Sequence, residues 1–488
     1  MRWVHLGLIA LLAVVTAVAV FERPPSLQDF DPVRDAEFAD TWNQRQHLAY
    51  WEKWGSFERD ACQAMVDAFN RSQSKIFVHY VNASQVDRKA MLAIVGRDPP
   101  DVVGLWANNV QPFGAAGALL PLDERMRQSG LDPARYTPQY LDIGTYEGRI
   151  YALPTTPASV ALFYNKDHFA AKAEALRTAG LDPERPPQTL EELDRYAEVL
   201  NEFNPDGTPR LMGFLPTEPG WWNAFWGYSF GGTLYDPTTD QVTPDSPANL
   251  KAMLWIKGYA ETYGRDKLLQ FRSGFGNFDS PNNAFIEGKV SMEMQGVWFP
   301  NFIRRHRPHL NFGVAPFPTA AGVPGPRSFL DADVIAIPRG CKHPEAAWTF
   351  VLFAQQQGLE ILCRLQGKHM PIRNSPDRFR QGHPNLELPV FEHVAASPHS
   401  FIQPKLAVWQ EYQDELSRAF DHIWNYPIPA EEIQGLSGTR LRTRIEELAR
   451  PEIQRTYTAV RETIQRKRED QAARDRSRQD EGQMTKDK

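Results

Sequence analysis

Cysteine is scarce in this chain of 488 residues: Cys62, Cys341 and Cys363 are the whole set. An odd number leaves at least one thiol unpaired within a monomer. Cys341 and Cys363 can close a loop in an oxidising compartment, although buried free thiols suit the same sequence. An excess of one charge sign is missing too. The 54 Lys and Arg against 60 Asp and Glu leave a net charge of −6, so no basic field invites nucleic acid. No G-x-S-x-G elbow, P-loop or H-E-x-x-H is present. Carboxylates for glycoside hydrolysis must stand about 5–9.5 Å apart, and chance pairs are inevitable among so many acids, so their number is no signal. Arg304–His309 (RRHRPH) offers two histidines without cysteine or acidic partners, and reads as a solvated linker rather than a metal site. No catalytic residue, metal or cofactor is expected, and no internal repeat is visible.

One long apolar run exists, Val4–Phe21, behind Met1 and Arg2. With Ala17-Val18-Ala19 it fits a secretory signal cleaved after Ala19. It is also close to the roughly 17–25 residues that span a bilayer, so a retained anchor is the alternative. Lipid attachment is excluded because no cysteine follows before Cys62. Residues 1–21 are thus a signal peptide or anchor, and 22–45, polar and proline-containing, a linker.

What the chain has in plenty is tryptophan and proline, 13 and 39 residues. Several tryptophans sit beside Gly, Pro or Asn instead of inside periodic runs, which suits a cleft lined with aromatic rings. The folded part opens near Leu48 with the strand LAYWEKW. A helix over Arg59–Asn70 places Ala61, Met65, Ala68 and Phe69 on one face, and a strand follows at Ile76–Val81. A short helix over Asp87–Val95 and a buried strand at Asp101–Trp106 complete a βαβαβ start, which implies a mostly parallel sheet. Leu190–Phe203 is predicted helical, with Thr189 as N-cap and Glu192 closing a capping box. Asn249–Tyr263, Pro344–Gln355, Leu406–Ile423 and Leu441–Arg466 are further helices. Trp255 and Trp348 lie on amphipathic helices and are expected in the core. Residues 458–488, polar with alternating charge, are expected to form a disordered tail.

The richest stretch is Ala284–Trp298, AFIEGKVSMEMQGVW, followed by NFGVAPFP at Asn311–Pro318. A helix end, a Glu-Gly-Lys turn and a buried strand lead to Gly296 and Trp298. Ligands of open α/β sheets gather outside the carboxyl ends of strands, and a Trp there is an apolar plate at a cleft mouth. Other stretches stand in a recognisable order: DVVGLW at Asp101–Trp106, GALLPLD at Gly117–Asp123 and GRIYALP at Gly148–Pro154. LFYNKD at Leu162–Asp167, PPQTLEEL at Pro186–Leu193, DVIAIP at Asp333–Pro338 and HPEAAWTFVLF at His343–Phe353 follow. Together they resemble the extracellular solute-binding proteins of ABC sugar importers, the maltose-binding-like class, over about Tyr50 to Asn374 and weakly to Tyr457.

The resemblance implies an α/β, two-lobed periplasmic-binding-protein fold, with a ligand cleft between two hinge-linked sheets flanked by helices. Lobe 1 is expected over 46–154 plus 334–375, and lobe 2 over 155–333 plus 376–457. It also implies a sugar-stacking role for Trp298 and a facing role for Trp106. Of Trp221, Trp222 and Trp226, in PGWWNAFWGYSFGG, at least one is expected to touch ligand. Asn108 and Asn109 follow Trp106, where the family often has an acid or amide. Asp331 and Asp333 sit on the second crossing between lobes, where two carboxylates in a strand are costly unless they meet a ligand or donors. Glu52, Lys53 and Glu58 surround the first strand–helix turn, and which of them points inward is open. At Pro154–Ser159 the chain departs from the maltose-binding pattern, with Ala158 where a ligand-binding Glu is expected, so maltose itself is not implied. The expected activity is capture of a carbohydrate in the periplasm or another extracytoplasmic space by a monomer, secreted or anchored by residues 4–21. Delivery to the membrane subunits of an ABC importer follows from the resemblance. A tethered carbohydrate or polyol sensor, and a carbohydrate-active enzyme, are the alternatives.

Overall fold

The computed structural model describes residues 35–484. The apolar run Val4–Phe21 therefore lies outside the described residues, and among those that are described no helix is long and apolar enough to cross a membrane. Eight principal strands organise the chain: β1 Gln46–Glu52, β2 Ile76–Asn82, β3 Val102–Trp106, β4 Ala152–Asn165, β5 Pro209–Phe214, β6 Val290–Gly296, β7 Phe312–Ala315 and β8 Leu330–Ala336. They join, with the short strand Glu202–Phe203, in one hydrogen-bonded network ordered β2-β1-β3-β8-β4-β6-β5 and then Glu202–Phe203, with β7 also on β4. The opening is parallel as expected, β1 pairing with β2 and β3. Beyond it, β8 runs antiparallel to β3 and β4, so the sheet is mixed rather than mostly parallel.

The long strand β4 serves both halves of the molecule. Its first part pairs with β8, ending at Ser159 opposite Leu330, and its second pairs with β6, beginning at Val160 opposite Gly296. Separate apolar clusters flank the two parts. Leu48, Tyr50, Met65, Phe69 and Phe350 belong to one half, and Leu162, Phe214, Trp226, Ile256 and Phe420 to the other.

Helix α1, Ser56–Ser72, buries Ala61, Cys62, Met65, Val66 and Phe69, a stripe at helical spacing. In α2, Leu190–Leu200, the Thr189 hydroxyl accepts from the Glu192 N–H at 3.1 Å. The Glu192 carboxylate, instead of closing the box on Thr189, accepts from Gln188 N at 2.8 Å and from Arg185. The helix stops at Leu200, so Glu202 and Phe203, predicted helical, pair as an edge strand.

The C-terminal part is helical: α3 Pro247–Tyr263 packs with α4 Trp409–Asn425 and α5 Gly438–Met484. The expectation of disorder from residue 458 is corrected here. Ile445, Ala449, Ile453, Tyr457, Val460 and Ile464 form one buried stripe within the helix expected to Arg466, and the helix itself runs on to Met484. The linker expected to Arg45 also shortens: Ala36–Gln44 is a 3₁₀ segment whose Phe38 and Trp42 pack on Phe77. All three cysteines are free thiols. Cys341 Sγ lies 3.5 Å from Asp101 Oδ1 and Cys363 Sγ 3.4 Å from Thr155 O.

Candidate functional site

Strand β6 ends at Gly296, and Trp298 begins the turn into the helix Phe299–His306. The indole folds back over Gly296: a Cβ at that position would stand 2.2 Å from the ring. Glycine is therefore required for close approach rather than for its backbone angles. Trp298 is half-buried, and its ring centre lies 6.0 Å from that of Trp221 and 5.9 Å from Phe278. The Nε1 donors of Trp298 and Trp221 are buried without a protein acceptor. A buried donor left unmade costs about 1–3 kcal/mol.

From this pair an aromatic belt runs both ways. Phe278 meets Phe302 at 5.5 Å, and Phe302 meets Phe57, at the start of α1, edge-on at 5.7 Å. On the other side Trp221 meets Trp222 at 5.3 Å, and Trp222 meets Phe329, the residue before β8, at 5.7 Å. The belt thus links the first helix of one half to the strand that carries Asp331 and Asp333.

Next to Phe57, at the end of the belt, Glu58 belongs to a charged cluster. Lys53, nearly inaccessible, lies 3.0 Å from both Glu52 Oε1 and Asp333 Oδ1. Burial works against its ammonium, but Asp333 and Glu52 outweigh that and hold it above its ordinary pKa. Asp333 Oδ2 accepts from Trp54 Nε1 at 3.0 Å and from the Thr156 hydroxyl. Burial works to raise the Asp333 carboxyl, and Lys53 and Lys368 outweigh it, so the group stays ionised below its usual range. Both Asp333 oxygens are engaged by protein. Held this way, it fixes Lys53 and Trp54 in place. Asp331 differs. Its Oδ1 accepts from Ala332 N at 2.8 Å, and among the described residues Oδ2 has no partner. Burial, then the charge of Asp333, pushes its carboxyl up to about 7.

Glu52 is engaged by protein groups as well. It is 2% exposed and accepts from the Tyr50 hydroxyl at 2.7 Å and Lys53 N at 2.8 Å. It sits where a Cβ on Gly104 would come within 1.7 Å, so the glycine of DVVGLW makes room for it. Glu58 lies 3.6 Å from Lys368, and burial raises its carboxyl against that lysine's pull. Trp106 ends β3 at 37% exposure, with Lys53 Nζ 5.3 Å from its ring centre. Asn109 is occupied locally, its Oδ1 accepting from Trp106 N at 3.1 Å to start the next helix.

Two of the tryptophan trio move away from the cleft wall. Trp226 is fully buried against Phe214, Trp255 and Phe317, and is core. Trp222 is 3% exposed and supports Trp221 from behind. Trp221, half-buried, is the member beside Trp298. Trp348 is buried in the core as expected, and Trp255 is half-buried with its Nε1 on Asp194 at 3.0 Å.

Sequence reasoning passed over Trp54 and Trp409. Trp54 lies two residues past the end of β1, between Lys53 Nζ at 5.2 Å and Lys368 Nζ at 5.7 Å. Trp409, from α4, lines a small cavity with Ala107, Asn108 and Leu406, and its Nε1 has no partner. Among the described residues no group of three or more His, Cys, Asp or Glu side chains is placed to hold a metal ion.

Comparison with known proteins places this arrangement in context. Residues 56–358 match the family described as bacterial extracellular solute-binding protein. The maltotriose-binding protein of Pyrococcus abyssi (strain GE5 / Orsay) is 22% identical over 308 residues, 62% of this chain. The match spans 61% of that relative, less than two thirds of its length. Among solved structures, CpMnBP1 with mannotriose bound superposes with a TM-score of 0.65 at 25% identity, over 85% of this chain and 100% of that one. A cyclic α-maltosyl-1,6-maltose binding protein from Arthrobacter globiformis gives 0.64 at 19% identity, over 85% and 99%. These likenesses establish the two-lobed fold.

Proposed function

The chain belongs to the bacterial extracellular solute-binding protein family, and from that premise we propose that it captures a carbohydrate outside the cytoplasm and delivers it to an ABC importer. The observation that carries this reading is the half-buried pair Trp298 and Trp221, in an aromatic belt that ends at Phe57 beside Glu58 and the cluster of carboxylates around Lys53 and Lys368. A sugar ring presents C–H faces that stack on such plates, and hydroxyls that both accept from an indole N–H and donate to a carboxylate. Nothing in the constellation supplies a nucleophile with its base, and the family is one of binding proteins. Closure of the two halves over the ligand would let a membrane partner distinguish loaded from empty protein. Trp298, Trp221, Trp106 and Trp54 are assigned to the sugar faces, and Asp331 and Glu58 to hydroxyls.

A thermal-shift screen of the full chain against mono- and oligosaccharides, polyols and glycerol phosphates tests the reading. A ligand at ~100 times its Kd adds about 2.7 kcal/mol to the native state. A rise with saccharides, recovered chemically intact, is expected. Silence across the saccharides would sink the proposal. A tethered sensor of the same fold is favoured only if Val4–Phe21 is retained. Cell fractionation and sequencing of the mature N-terminus decide that.

A further inference from the structure

We propose that the cleft takes a saccharide bearing a positive charge, an amino sugar whose ammonium pairs with Asp331. This rests on the carbohydrate-binding reading above and narrows its ligand class. Charge around Asp331 points to such a ligand. Four carboxylates meet there, Glu52, Glu58, Asp331 and Asp333, with two ammonium groups, Lys53 and Lys368. Lys53 is taken up between Glu52 and Asp333, each at 3.0 Å, and Lys368 stands 3.6 Å from Glu58. Asp331 is left without a cation within ion-pair distance, and one of its oxygens is unpartnered among the described residues. Both lysines attract it only from farther off. His369, next to Lys368 and hydrogen-bonded to the Ser159 hydroxyl at 3.0 Å, adds no charge: burial pushes it down to about 4. Tyr140, which also faces this region, is held protonated by burial.

A half-buried carboxylate without a cation is costly, and its carboxyl pushed up to about 7 is the sign of that cost. A ligand ammonium removes it through a charge-assisted hydrogen bond, which a neutral hydroxyl matches only in part. A phosphate or uronate would meet surplus negative charge instead. The 37% exposure of Trp106 leaves ring surface for the C–H face of the same sugar.

The test is titration calorimetry of the full chain with matched pairs. The probes are glucosamine, galactosamine and mannosamine and the chitosan disaccharide, each against its N-acetylated counterpart and the plain hexose, at neutral pH. The expected result is at least tenfold tighter binding of one free amine than of its neutral partners, with the ratio collapsing in Asp331→Asn. Equal or tighter binding of the neutral sugars, or a preference that survives Asp331→Asn, overturns the inference while leaving the carbohydrate reading intact. The wild-type ratio decides the matter alone should the variant fail to fold. Binding of no saccharide at all would sink both.

Discussion

The indole of Trp298 rests on the bare Cα of Gly296, two residues earlier in its own chain, so the plate and its seat are built by one turn. A methyl group at 296 would stand 2.2 Å from the ring. Gly296→Ala should therefore displace the indole and weaken saccharide binding by tenfold or more, with Tm lowered by the strain. Calorimetry and thermal melts of the same preparation read both. Unchanged affinity would remove the seat from the account.

Trp298→Ala removes the plate itself. Loss of one stacked ring costs about 1–3 kcal/mol where bases stack on aromatic side chains, and a similar loss is expected for a sugar. The fold should survive, because Trp298 is only half-buried. Wild-type affinity in the variant would place the ligand elsewhere.

Asp333→Asn should act on stability first. It leaves Lys53 buried with one carboxylate instead of two and weakens the acceptor for Trp54 Nε1. Breaking a buried ion pair typically costs about 3–5 kcal/mol. Urea denaturation should show a loss of that order. A full-strength fold with weakened sugar binding would return Asp333 to the ligand.

Two buried carboxyls should make stability fall as pH rises, most clearly between about 6.5 and 8, because below that the buried neutral His369, pushed down to about 4, works in the opposite direction. Burial pushes Glu293 up to about 8, and burial with the charge of Asp333 pushes Asp331 up to about 7. At these two groups the native state holds protons the unfolded chain has released, so raising the pH favours unfolding, and their contribution flattens above about 8. Glu293 is 1% exposed and its Oε2 has no partner. Glu293→Gln should raise Tm at pH 8 and flatten its pH dependence. A lower Tm at pH 8 would show that the carboxylate is needed.

The Trp298 seat was legible because strand, glycine and tryptophan are neighbours in sequence and their spacing fixes their geometry. Asp331 and Asp333 were legible as a pair, since residues two apart on a strand share a face. Which of them stays free was not, because that depends on Lys53, Trp54 and Thr156, distant in sequence. Glu52 beside a turn looked available, but it is buried into space that Gly104 leaves on another strand. Trp54 was absorbed into a strand read as LAYWEKW, whereas the strand ends at Glu52. The burial of Trp226 was not legible either. The segment PGWWNAFWGYSFGG has no helical apolar period, yet Trp226–Ser229 forms a short helix packed inside the lobe.

One strand belonging to both sheets has a mechanical consequence. The change of partners falls on the peptide between Ser159 and Val160. There the Ser328 hydroxyl accepts from Val160 N and lies the same 2.9 Å from Val160 O, while the Ser159 hydroxyl is held by His369. Any rotation of one half against the other loads this short stretch as a torsion spring, with a single serine as its clamp. Hydrogen exchange at the Val160 amide would then read out any swing of the two halves as a strain gauge does.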